Sequence, residues 1–169
     1  MSAYWPRGRA LLALCLLVAT LGAAAQDEPR VGELSYLDRQ FMSQQRALVQ
    51  EMAASNLGRQ FNGSRDNDLE LLQLLLDRRL VRPEQTRELQ AMGVILGDLL
   101  AQELDMHWVV YEDQVGRSRA LRYRDSDNYL FPITMISRRR EVDNRTPVQD
   151  IYHKARASIA SSRPALPFQ

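Results

Sequence analysis

The chain has 169 residues, 22 basic and 21 acidic side chains and a formal net charge of +1, so no excess charge draws it toward nucleic acid or an anionic membrane surface. Its single cysteine, Cys15, excludes an internal disulfide and a thiolate metal cluster, which leaves packing as the source of stability. Lys154 is the only lysine, and so uniform an arginine bias carries no function by itself.

Arg7 to Gln26 has the layout of a secretory signal peptide. Arg7 and Arg9 are followed by an apolar core from Ala10 to Leu21, and small Ala23 and Ala25 stand where signal peptidase reads them. The core is shorter than the ~20 residues of a spanning helix, so residues 1–25 are expected to be cleaved, leaving no stable membrane anchor and an exported chain beginning at Gln26. Leu14 before Cys15 rules out a lipoprotein site, and the cysteine leaves with the leader. Removing 25 residues leaves 144, enough for one core.

Residues 26–33 read as an exposed entry segment without periodicity. Ser35, with Asp38 three residues on, caps a first helix whose apolar positions include Leu37, Phe41, Leu48 and Met52, ended by Gly58 and the turn at Asn62-Gly63-Ser64. A second helix starts at Asp66 or Asp68 and runs through Leu69, Leu72, Leu76 and Leu80. Pro83 opens a third, apolar nearly all round from Leu89 to Leu104 and therefore central, in which Gly93-x-x-x-Gly97 lets another element approach closely.

After Asp105 the period changes to two. His107 to Asp113 and Ala120 to Tyr123 form a hairpin around Gln114-Val115-Gly116-Arg117, and Tyr129 to Ser137 reads as a third strand, at an edge because Pro132 interrupts it. Trp108, opposite the His107, Val109, Tyr111 face and following the apolar third helix, is the expected packing anchor. Thr146, Pro147 and Gln149 supply an N-cap, a first-turn proline and a capping-box residue for a last helix, and residues 161–169 form a flexible tail. The expected fold is α+β: one domain over 34–160 with three helices, a small antiparallel sheet of about three strands covered on one face, and a C-terminal helix.

Two stretches also carry a resemblance. Met92-Gly93-Val94-Ile95-Leu96-Gly97-Asp98 running into Met106-His107-Trp108-Val109-Val110, and Gly116 followed by Ala120-Leu121-Arg122-Tyr123 and Leu130-Phe131-Pro132-Ile133-Thr134-Met135-Ile136-Ser137-Arg138-Arg139, resemble the bacterial family catalogued as domain of unknown function 3806, over roughly Leu89 to Tyr152. The resemblance implies a bacterial, exported protein and brings no catalytic residue with it; the expected location of the exported chain is the periplasm.

Candidate chemistry is sparse. His107 and Asp113 are six residues apart on one strand, about 20 Å at strand rise, too far for a dyad. His107 and His153 lack a spaced third ligand, so neither a metal nor a cofactor is expected. Asp125-x-Asp127 and Glu141-x-Asp143 lack the remainder of a calcium loop and read as turns. The arginines beside the sheet offer a route to a ligand: Arg122 and Arg124, with Arg138 and Arg139, could clamp a carboxylate or phosphate. The expectation is a non-catalytic envelope-binding protein whose partner is an envelope protein or an anionic ligand. The alternatives are an anion-binding module built on those arginines and an envelope hydrolase using Glu112 or Asp113.

Overall fold

The computed structural model of the protein describes residues 28–161; the expected leader with Cys15, the expected start at Gln26 and the expected tail beyond residue 161 lie outside the described residues. The elements are β1 (Arg30–Glu33), α1 (Tyr36–Leu57), α2 (Arg65–Asp77), α3 (Thr86–Leu104), β2 (Met106–Asp113), β3 (Gly116–Tyr123), β4 (Tyr129–Leu130), a 3-10 turn (Pro132–Thr134), α4 (Ser137–Glu141) and α5 (Val148–Ala160). The class is α+β, with the strands in the antiparallel order β1-β2-β3-β4. Among the described residues no helix is long and apolar enough to cross a membrane.

α3 is the axis of the fold. Leu89, Met92, Leu96 and Leu100 are fully buried along it, and α1, α2, α5 and the sheet all pack on it. Its two glycines are a docking notch. A Cβ at Gly93 would lie 2.5 Å from the Ile133 carbonyl oxygen and 2.6 Å from that of Pro132, whereas one at Gly97 would strike the Trp108 indole. The 3-10 turn and β2 therefore approach α3 at distances only hydrogen permits. Gly93→Ala should cost about 1–3 kcal/mol or more and exceed Gly97→Ala, because backbone cannot yield as a side chain can. Urea midpoints in the reverse order would contradict this packing.

Asp98 sits one residue beyond the notch and joins three elements. It receives Arg46 of α1 in a two-pronged contact, Nε to Oδ2 at 2.6 Å and an Nη to Oδ1 at 2.8 Å, and the Trp108 Nε1–H donates to Oδ1 at 3.0 Å. Gly97, Asp98 and Trp108 thus act as a unit that fixes β2 on α3.

Glu103, a turn and a half further along α3, accepts from the Tyr152 hydroxyl and from Arg156 of α5. Burial, and next the hydrogen bond to Glu103, push the Tyr152 phenol well above its ordinary pKa of 10.0. A phenol raised in this way contributes stability that is complete below pH 10 and is lost as the pH climbs beyond it. In chemical denaturation Tyr152→Phe should therefore be most destabilising at pH 8, and the gap to the unaltered protein should narrow above pH 10. A constant gap would exclude the linkage.

Several details depart from the sequence reading, among them that α2 ends at Asp77 before reaching Leu80 and that β3 begins at Gly116, inside the expected hairpin loop. Arg30–Glu33, assigned there to the entry segment, form β1, paired from Arg30↔Glu112 to Glu33↔Val109. The expected strand Tyr129 to Ser137 is cut to two residues, because Pro132 starts the 3-10 turn and α4 follows. Pro147, not Thr146, is the N-cap of α5, and no side chain of α5 closes a capping box. The Val148 N–H is instead met from α2, by the Gln73 side-chain oxygen at 2.8 Å, while the Thr146 hydroxyl turns back to Asn144. Leu37, placed on the apolar face of the first helix, is 71% exposed, because Asp38 takes the buried position.

Candidate functional site

Pairing sorts the sheet side chains into two faces. Met106, Trp108, Leu121, Tyr123 and Leu130 lie on the side that meets the helices, and alternation continues that side through Val110, Arg119, Glu112 and Arg117. Two arginines on a helix-facing side need a compensating acid, and α1 supplies it. Asp38 closes the capping box with Ser35, and its side chain is nevertheless buried. Arg117 donates to both of its oxygens, at 3.0 and 2.5 Å, and Arg119 approaches Oδ1 at 2.8 Å. The Arg117 hydrogen bond outweighs the cost of burial and holds the Asp38 carboxyl far below the usual carboxylate range. One turn on, Phe41 lies beneath Arg119, whose guanidinium carbon is 4.1 Å from the ring centre. The Arg119 Nε is buried without a hydrogen-bond partner.

One carboxylate thus holds two guanidiniums, and the side of them away from α1 opens into a groove of about 430 Å³. Arg138 of α4 enters it from the opposite wall, with Ile133, Thr134 and Phe131 beside it and Val115 at the hairpin tip. Arg138 is exposed and makes no ion pair among the described residues. From the other face of the sheet come Tyr111 and Ser118. The Tyr111 ring meets Phe131 edge-on at 5.3 Å and Tyr129 at 4.9 Å, which fixes an aromatic rim. Asp113 is the one acid in the lining, and it is tied to the turn by the N–H groups of Val115 and Gly116, at 2.8 and 3.1 Å. Outside the groove Glu112 stands between Arg30 and Arg117 in register. The neighbourhood holds four arginines against Asp38, Glu112 and Asp113.

The arginines singled out in the sequence separate. Arg122 donates to the Ser126 and Asp125 carbonyls at 2.9 and 3.0 Å, pinning the turn before β4. Arg124 lies 4.0 Å from exposed Asp105 and 5.2 Å from the Tyr123 ring centre, and Arg139 bonds the Met135 carbonyl at 2.6 Å. Only Arg138 reaches the groove, where it meets Arg117 and Arg119. His107 is exposed, Glu112 projects from the opposite face of β2, and exposed His153 packs beside Tyr152 on α5. The structure brings none of these together, and among the described residues no cluster of three or more His, Cys, Asp or Glu could hold a metal ion. Trp108, Gly93 and Gly97 are the docking residues described above.

A family model for a domain of unknown function, DUF3806, matches residues 68–152. A crystal structure from Bacteroides thetaiotaomicron VPI-5482 is similar, with a TM-score of 0.68 and 18% identity over 75% of this chain and 47% of that one. The likeness shows the fold alone, and the chain spans about half the length of that protein. No curated protein matches the chain. The family stretch includes Arg117, Arg119 and Arg138, whereas Asp38 and Phe41 lie before it.

Proposed function

The chain belongs to the DUF3806 family, a domain of unknown function, and we propose that it is an exported bacterial protein of the periplasm that acts by binding an anionic envelope partner. The groove carries this reading: Arg117, Arg119 and Arg138 converge on one cavity with an aromatic rim and a single turn-bound acid in its lining. Guanidiniums offer planar, paired donors to carboxylates, and rigid aromatic rings add apolar contact area. Arg122, occupied by turn carbonyls, and Arg124, beside Asp105 and the Tyr123 ring, give way to these three as the recognition set. Export rests on the leader and on the small residues Ala23 and Ala25.

Two measurements test the reading. Intact mass of the protein recovered from its host should correspond to a chain starting at Gln26, and retention of residues 1–25 in the membrane would overturn the location. Binding to isolated envelope material should be saturable and weaken with salt. It should fall with Arg138→Ala and survive Arg122→Ala with Arg124→Ala. The opposite pattern would place recognition elsewhere.

A further inference from the structure

We propose that the free edge of β3 takes up an extended segment of a partner protein as an added strand, one whose alternate residues are acidic. The inference rests on the binding reading above and specifies its ligand. β4 pairs only with Leu121 and Arg122, so residues 116–120 have no strand on that side among the described residues. The Tyr123 N–H donates to the Asn128 carbonyl toward β4. Alternation therefore aims the backbone N–H and C=O of Arg119 and Arg117 the same way, into the groove. An edge of this kind is a template for a further strand.

The groove provides room because the chain leaves the sheet at Pro132, with Ile133 and Thr134 forming the far wall. Its two sides differ in chemistry. Arg117 and Arg119 project on the helix-facing side, where Arg138 can join them, while Tyr111 and Phe131 form the other. Side chains of an added strand alternate between those sides, so carboxylates at every second position would face the arginines and apolar residues between them would face the rings. The charge balance selects acids over bases, and Asp113 is already engaged by the turn.

The test uses the intact, isotope-labelled protein and a capped seven-residue peptide alternating glutamate with valine and tyrosine. The comparison peptides replace glutamate by lysine or carry N-methyl groups on alternate amides. Binding should slow exchange of the Arg117 and Arg119 amide protons by about tenfold or more, while those of Ser118 and Ala120, directed toward β2, stay unchanged. The lysine and N-methyl peptides should each bind at least about tenfold more weakly, and Arg138→Ala, at an exposed position, should weaken the glutamate peptide severalfold. Equal binding of either comparison peptide, or unchanged Arg117 and Arg119 exchange at saturation, overturns strand addition. If glutarate then competes with the glutamate peptide, the groove binds anions without pairing to the edge and the binding reading stands. If no peptide and no glutarate binds at millimolar concentration, both fail.

Discussion

Asp38→Asn should lower stability by about 3 kcal/mol, at the lower end of the 3–5 kcal/mol lost when a buried ion pair is broken. The lower end applies because the Arg117 side chain is 45% exposed while that of Asp38 is 2% exposed, so water softens one half of the pair. The substitution strikes twice: it leaves Arg119 against the Phe41 ring with its charge uncompensated and weakens the capping box that starts α1. Urea denaturation at neutral pH measures the loss. Acid sensitivity supplies a second, independent readout. Because folding depresses the Asp38 pKa from its ordinary 3.8, its contribution is complete above about pH 4 and declines as the pH falls through the lower folded value. The variant should therefore lose less stability on acidification than the unaltered protein. A loss under about 1 kcal/mol, within the range of exposed surface pairs, would show that the two arginines are held by something else.

Trp108→Ala should cost about 3 kcal/mol, again at the low end of the range for removing a large aromatic side chain, because the indole is partly exposed although one edge fills the notch at Gly97. Trp108→Phe separates the two contributions. It keeps a ring against α3 and loses the Nε1–H donor to Asp98, whose carboxylate retains Arg46, so the expected loss is about 1 kcal/mol. Trp5 is the other tryptophan of the chain. In a chain starting at Gln26, emission comes from Trp108 alone and should be blue-shifted relative to the unfolded state. Red, readily quenched emission would detach the ring from α3.

Helices with strong local signals were readable before any tertiary contact was known. Ser35, Asp38 and Gly58 mark α1 because capping geometry is encoded within four residues, and the continuous apolar run from Leu89 to Leu104 could only belong to the centre of the fold. Features set by distant partners were not readable. β1 is four residues long and contains a glycine, so its propensity is weak and its identity comes from pairing with β2. Gln73 caps α5 from another helix, an arrangement absent from the local sequence around Thr146. The groove was hidden for the same reason, since Asp38 had a sufficient local role as a capping residue. A clue was available in the alternation itself. Arg117 and Arg119 share the periodicity of Leu121 and Tyr123, and a cationic pair on a buried-side register demands an acid from the covering helix.

The pairing of β1 with β2 also imposes an order of events on a chain that grows from its N-terminus. Arg30 to Glu33 are made early, yet the residues they bond, Glu112 to Val109, follow after roughly eighty intervening residues whose loop must close first. Until the hairpin exists, that strand has no template, and α1 must hold its place through contacts with α3. β1 is therefore secured only once β2 is in place. In hydrogen exchange it should open at lower free energy than the β2–β3 hairpin, detaching from the sheet edge while the helical core remains closed.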